Sequence, residues 1–192
     1  MDDIILYPTE TVYGLGVNAL SEAALETLFK RKSRDIQKTV SWLVRNIDDV
    51  ARYAEVSPKA LAIIEQFLPG PMTIVLPVKD SVPDYAASHD RTVGFRISSD
   101  KSASALIEEF MKEHNAPLTC TSANVSGLAT LTTPESIVNQ FKACDKKFVG
   151  FSRVIDDGPR SGLPSTVVKI VNDELLLLRE GVIPLSQFRL FL

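Results

Sequence analysis

Cations and hydroxyls dominate the residues of this 192-residue chain whose types and spacing could do chemistry. Lys32 and Arg34 stand two apart just after a helical pattern. On extended chain that spacing puts both side chains on one face, where two cations could grip a polyanion, Arg34 with a planar fork. The alternative is a solvated basic cluster, Lys30 to Arg34, that complements a helix C-terminus. Ser122 and Asn124 follow an apolar run and project together; with the Ser126-Gly127 turn they suit phosphate oxygens or a small zwitterion, and equally a simple Asx or Ser turn. Arg96 interrupts the apolar run Val93–Ile97. It either faces solvent by alternation or faces a pocket, where it needs an anionic partner, because an unpaired buried charge is costly. Arg179 closes the run Leu175–Leu178 in a similar way, with a solvated strand end as its plain reading. The richest stretch is Tyr7-Pro-Thr-Glu-Thr-Val-Tyr-Gly-Leu-Gly16, with hydroxyls, a carboxylate and phenols on a backbone controlled by one proline and two glycines. It reads as a binding segment at a strand exit or as a tight connection whose threonines cap backbone groups.

Several familiar chemistries drop out. The only histidines, His89 and His114, sit in polar surroundings and read as surface residues, which leaves a Ser-His-Asp or Cys-His system without a base. The sequence has no G-x-x-x-x-G-K-[ST] phosphate loop. Gly14-Leu-Gly16-Val-Asn-Ala19 matches the dinucleotide spacing only formally, because Pro8 to Tyr13 separate it from the preceding strand and Leu20-Ser21 from the following helix. Cys120 and Cys144 are too few for a zinc site or a disulfide framework and read as free thiols, Cys120 as a small core residue. The net charge of −3 argues against an extended, sequence-independent nucleic-acid surface and leaves room for a local basic patch. Without a signal peptide or a span-length apolar run, the expectation is a cytoplasmic protein with no membrane contact.

Alternating strand and helix patterns position these residues. Strands are expected at Ile4–Leu6, Val40–Val44, Thr73–Val78, Val93–Ile97 and Pro117–Thr121. Ser21 caps a helix running to about Phe29. Ser57-Pro58 opens a helix with Leu61, Ile64, Phe67 and Leu68 on one face, and Thr133-Pro134 opens another. A helix over Ser102–Lys112 turns Ala105, Leu106 and Phe110 inward. Asp156–Gly162 is a loop, and Asn172-Asp173 joins Ser165–Val171 to Glu174–Arg179 as a hairpin. The sum is an α/β sandwich with a mixed sheet, a single domain over residues 1–192. A chain of this length can bury roughly 70% of its unfolded surface without a staple.

Taken in order, Pro8–Leu15, Lys32-x-Arg34, Leu68–Val75, Val93–Arg96, Ser122–Gly127, Ser165–Val168 and Leu178–Gly181 resemble the YrdC-type threonylcarbamoyl-AMP synthases, in the short form with the YrdC-like domain alone. The resemblance implies a twisted mixed sheet with flanking helices around a positively charged concave cavity. It implies the synthesis of threonylcarbamoyl-AMP and pyrophosphate from L-threonine, bicarbonate and ATP, with Mg2+ on the phosphates, for the t6A modification of tRNA. Carried over by position, Lys32, Arg34, Lys38, Thr92, Asn124, Thr132 and Arg179 hold ATP, with Lys32 and Arg34 catalytic. Thr11, Arg96, Ser122 and Ser165 hold threonine, Arg96 meeting its carboxylate. No protein metal ligands are implied. Partners would be t6A-transferase proteins downstream and tRNA or double-stranded RNA.

The chain departs from the family pattern in places. Thr39 replaces a common proline, Leu43 a common histidine and Ser33 a common glycine, Asp157 interrupts an Asp-Gly-Gly, and the first strand lies almost at the start. Two rival readings remain: an RNA-binding protein without this activity, and a nucleotide-binding relative acting on another carbamoyl or acyl group.

Overall fold

The structure, a computed structural model, describes residues 3–34 and 39–191. Strands β1 (Ile5–Tyr7), β2 (Gly14–Gly16), β3 (Ser41–Leu43), β4 (Met72–Pro77), β5 (Thr92–Arg96), β6 (Leu118–Ser122), β7 (Arg153–Val154), β8 (Thr166–Val171) and β9 (Glu174–Arg179) form one sheet in the order β7-β1-β2-β6-β3-β5-β4-β8-β9. The β1–β7, β3–β5 and β4–β8 pairs are parallel and the others antiparallel. Helices α1 (Glu22–Lys32), α2 (Ile47–Tyr53), α3 (Pro58–Phe67), α4 (Lys101–His114) and α5 (Pro134–Cys144) flank it, so the mixed α/β class read from the sequence is the one observed. None of the described helices is long and apolar enough to cross a membrane.

The helix starts are built by local chemistry. Ser21, Asn46, Ser57, Asp100 and Thr133 each accept a backbone N–H from the first turn of α1, α2, α3, α4 and α5. Two inward faces come out differently from their reading. Helix α3 buries Ala60, Ile63, Ile64 and Phe67 and leaves Leu61 exposed; α4 buries Ala103, Leu106, Ile107, Phe110 and Met111 and leaves Ala105 outside. In each case the real stripe is offset from the one expected, because several apolar residues compete for the seam. Gly14–Gly16 is a strand rather than a loose exit: Gly16 sits where a Cβ would lie 2.6 Å from the Leu118 side chain, so only glycine lets β2 and β6 pair this closely.

Strand alternation divides the sheet into two faces. One face is covered throughout: Trp42, Ile74, Phe95 and Val168 pack with residues of α1, α2, α3 and α5. On the other face α4 covers only a part, burying Tyr7, Leu43 and Leu118. Two residues along, on the same face, come Ser41 after Leu43 and Cys120 after Leu118; Cys120 sits at the edge of the α4 cluster, and both line a cavity. That part of the face is where the polar side chains gather.

The chain's return after β9 fixes one wall of this region. Gly181 and Ile183 each donate a backbone N–H to Thr166 Oγ1, at 3.0 and 2.9 Å. At Gly181 a Cβ would lie 2.3 Å from the Pro164 carbonyl oxygen. Gly181→Ala should therefore lower the unfolding free energy by about 1–3 kcal/mol, the cost of forced overpacking. Urea denaturation measures it, and an unchanged midpoint would show that the backbone there has room to move.

Candidate active site

The ends of β3, β4, β5, β6, β8 and β9 and the turn between β1 and β2 line a cavity. Together they enclose about 180 Å3. That is below the roughly 300–1,000 Å3 of drug-sized ligand sites, so it suits an amino acid, and a nucleotide must extend beyond the mouth. The wall carries Arg34, Arg96 and Arg179, with hydroxyls from Thr9, Ser41, Thr73, Ser122 and Ser165, and no aspartate or glutamate among its described residues.

Arg96 is nearly fully buried, and the anion it requires comes from the chain itself. Its Nη2 donates to Glu10 Oε1 at 2.7 Å, Thr11 Oγ1 at 2.5 Å and Thr9 Oγ1 at 3.2 Å. Ser98 Oγ donates to the other Glu10 oxygen. Burial alone would raise the Glu10 pKa, but the Arg96 charge and these hydrogen bonds outweigh it and lower the value. Burial likewise opposes the Arg96 charge, and the anionic surroundings hold its pKa above the ordinary value. Among the described residues Nη1 meets only Cys120 Sγ, at 3.9 Å, and the buried Nε has no partner. The guanidinium is thus charge-balanced on one side and open in donors on the other.

Arg34 lies just past α1. Its Nη2 donates to the Thr39 carbonyl at 2.7 Å and its Nη1 to Thr121 Oγ1 at 3.3 Å, while Nε is buried without a partner among the described residues. Arg179 reaches back over the start of β8, donating from Nε and Nη2 to the Ser165 carbonyl at 3.1 and 2.8 Å. Ser165 Oγ sits 3.0 Å from Thr73 Oγ1.

The structure gives Lys32 a different task from the one its spacing suggested. It is the last residue of α1, not extended chain, and Ser33 follows in the left-handed region at φ 51°, the kind of C-cap that glycine favours. The Lys32 side chain is fully buried and does not line the cavity. Its ammonium donates to the carbonyls of Ser122 and Asn124, the latter at 2.8 Å, and to Asn124 Oδ1 at 3.4 Å. Asn124 also accepts from Ser122 Oγ at 2.6 Å and donates to the Leu128 carbonyl at 2.7 Å. Lys32 and Asn124 therefore shape the turn that presents Ser122, and of these three only Ser122 reaches the wall.

The other expected positions divide. Thr11 is fully buried beneath Arg96 and is not part of the wall. Thr92 bonds Ser88 and Asp90 and lies in a shallow neighbouring depression that shares Thr39, Val40 and Ser41 with the cavity. Thr132 is exposed and outside the wall. Lys38 lies outside the described residues. Leu43 packs under α4, so this departure from the family pattern does not touch the cavity. Cys120, read as core, is half-buried and lines the cavity. Thr9, Glu10, Ser41 and Thr73 were not singled out as ligand or partner residues. For Glu10 the signal was present, an acid between two threonines and a strand arginine in need of an anion, but the two are 86 residues apart.

A family model under the heading Sua5/yciO/yrdC, described as telomere recombination, matches residues 1–181. A Methanocaldococcus jannaschii protein is 37% identical over 186 residues, spanning 96% of this chain and 82% of its own length. The threonylcarbamoyl-AMP synthase of Pyrococcus abyssi is 32% identical over 186 residues, spanning 96% of this chain and 52% of its own. The crystal structure of P. abyssi Sua5 complexed with L-threonine superposes with a TM-score of 0.86 at 29% identity, over 100% of this chain and 54% of that one. The chain thus spans about half the length of the P. abyssi relative.

Burial and the nearby Arg34 charge push the Lys32 pKa down to about 7. The unfolded value is higher, so between the two the unfolded chain holds more protons and stability climbs with pH. From about pH 7 to about pH 9.5, below the ordinary lysine value, the wild type should gain stability relative to Lys32→Met. Urea midpoints across that range check it; a constant difference between the proteins would contradict the lowered pKa of Lys32.

Proposed function

The chain belongs to the Sua5/yciO/yrdC family, and we propose that it makes threonylcarbamoyl-AMP and pyrophosphate from L-threonine, bicarbonate and ATP. The observation that carries this reading is the cavity wall: among its described residues three arginines, several hydroxyls and no carboxylate, around a space of amino-acid size. The reaction gathers a triphosphate, bicarbonate and an amino-acid carboxylate, which repel one another. A site for it must neutralise and position them; it needs no protein nucleophile.

In this reading the open donors of Arg96 take the threonine carboxylate, with Ser122 and Ser165 at hand for the rest of the molecule. Discrimination against valine comes from a hydroxyl partner left unpaired when the substrate hydroxyl is missing. The threonine amine attacks the carbon of bicarbonate or CO2; from bicarbonate, water leaves as the carbamate forms. The new carboxylate oxygen then attacks the α-phosphate and pyrophosphate departs. Arg34, whose buried Nε has no partner among the described residues, and Arg179 face the developing phosphate charge. Lys32 and Asn124 support Ser122 from behind, Thr11 supports Arg96, and Thr92 lies where a nucleotide extending from the cavity would pass. The nucleotide roles given to Lys38 and Thr132 rest on the sequence resemblance alone. Any magnesium would be held by the phosphates and their waters, since the described wall residues include no carboxylate, and would offset phosphate charge. The product would pass to the proteins that complete t6A on tRNA.

Pyrophosphate release should require ATP, threonine and bicarbonate together, and Arg34→Ala should lower turnover by about 10²–10³. Release indifferent to threonine would point to another acyl or carbamoyl acceptor, absence of release to a binding role, and an unchanged Arg34→Ala rate to a different phosphate partner.

A further inference from the structure

A second arginine, Arg160, is as fully engaged as Arg96 and lies outside the cavity wall. It belongs to the loop between β7 and β8, which the sequence marked only as irregular. Its Nε donates to the Thr9 carbonyl at 2.8 Å, and its Nη2 to Asp100 Oδ2 at 2.9 Å and Asp157 Oδ2 at 3.2 Å. Its Nη1 donates to the carbonyls of Asp157 and Gly158, at 2.6 and 3.1 Å. The guanidinium also stacks 5.6 Å over the Tyr13 ring. The Arg160 and Asp100 side chains are only 13% and 10% exposed, so this is a built contact rather than a surface pair.

These contacts close a ring around Glu10. Arg160 holds Asp100; the Asp100 backbone N–H donates to Ser98 Oγ at 3.2 Å; Ser98 donates to Glu10; Glu10 holds Arg96; and Arg96 and Arg160 grip Thr9 through its hydroxyl and its carbonyl. Each link fixes the next, because every hydrogen bond here is made by a buried or half-buried group with few alternative partners. The segment that aims Arg96 is therefore held from both sides.

We propose that Arg160 is a positioning residue that sets the aim of Arg96 at the threonine carboxylate, acting through Thr9 and through the Asp100–Ser98–Glu10 links. This rests on the reading of Arg96 as the carboxylate partner. Arg160 does not itself line the cavity and reaches it only through Thr9 and Tyr13, on the Arg96 side, so its loss should weaken threonine binding and spare the nucleotide. Arg160→Gln should raise the KM for threonine by about tenfold to a hundredfold, with the KM for ATP and the kcat at saturating threonine within about twofold. Arg160→Lys, which restores the charge beside Asp100 but not the fork, should fall between the two proteins. Ser98→Ala opens the ring at its other side, should give a smaller rise for threonine alone, and decides the matter if Arg160→Gln does not fold. An equal rise in both KM values, or no rise for threonine in the folded variants, overturns the proposal. Pyrophosphate release by the wild type that ignores threonine would instead sink the synthase reading beneath it.

Discussion

A guanidinium buried inside a β-sheet protein must be balanced or it will not stay there. Arg96 is balanced by Glu10 at 2.7 Å, and both side chains are largely shielded from water. Taking two ions out of water costs several kcal/mol each, and their attraction repays this only when the remaining donors and acceptors are satisfied. The two threonines that flank Glu10 and the hydroxyl of Ser98 do that for most of them. The arrangement ties the β1–β2 turn to the end of β5, two segments that share no strand pairing. It also leaves Arg96 Nε unpartnered among the described residues while the side chain lines the cavity, so a pair that holds the fold also prepares a site for an anion.

The sheet provides the setting for that pair. One face is sealed by four helices and the other by a single helix over part of its width. Where α4 ends, strand alternation places serines, threonines, a cysteine and arginines on the uncovered face. These residues would be costly under a helix and are useful in a cleft. Lys32 extends the same economy: among the described residues no carboxylate is bonded to it, and three oxygens of one turn receive its ammonium and hold that turn in place.

Strand and helix identities were largely legible, because caps such as Ser57-Pro58 and Thr133-Pro134 and the Asn172-Asp173 turn are local signals. Helix α2 escaped notice although Asn46 caps it, since its seven residues carry too short a pattern to register. Among site residues, Arg34, Arg96, Ser122, Ser165 and Arg179 do converge on the cavity. Side chains that serve the site without lining it were not legible. Lys32, Asn124 and Thr11, read as ligands, bond to the turn before Leu128 and to Arg96 and do not line the cavity, while Glu10 and Arg160 bond to partners 86 and 151 residues away. Spacing reports which residues share a face; it carries no information about what packs behind that face.

The most direct test of the Arg96–Glu10 account is the unfolding free energy of Glu10→Gln, measured in urea at neutral pH against the wild type. The variant keeps the size of the side chain, removes its charge and turns one of its two acceptor oxygens into a donor. It should lose about 3–5 kcal/mol, the penalty for leaving one ion of a buried pair uncompensated. Equal stability of the two proteins would mean that the Arg96 charge is held by something other than Glu10.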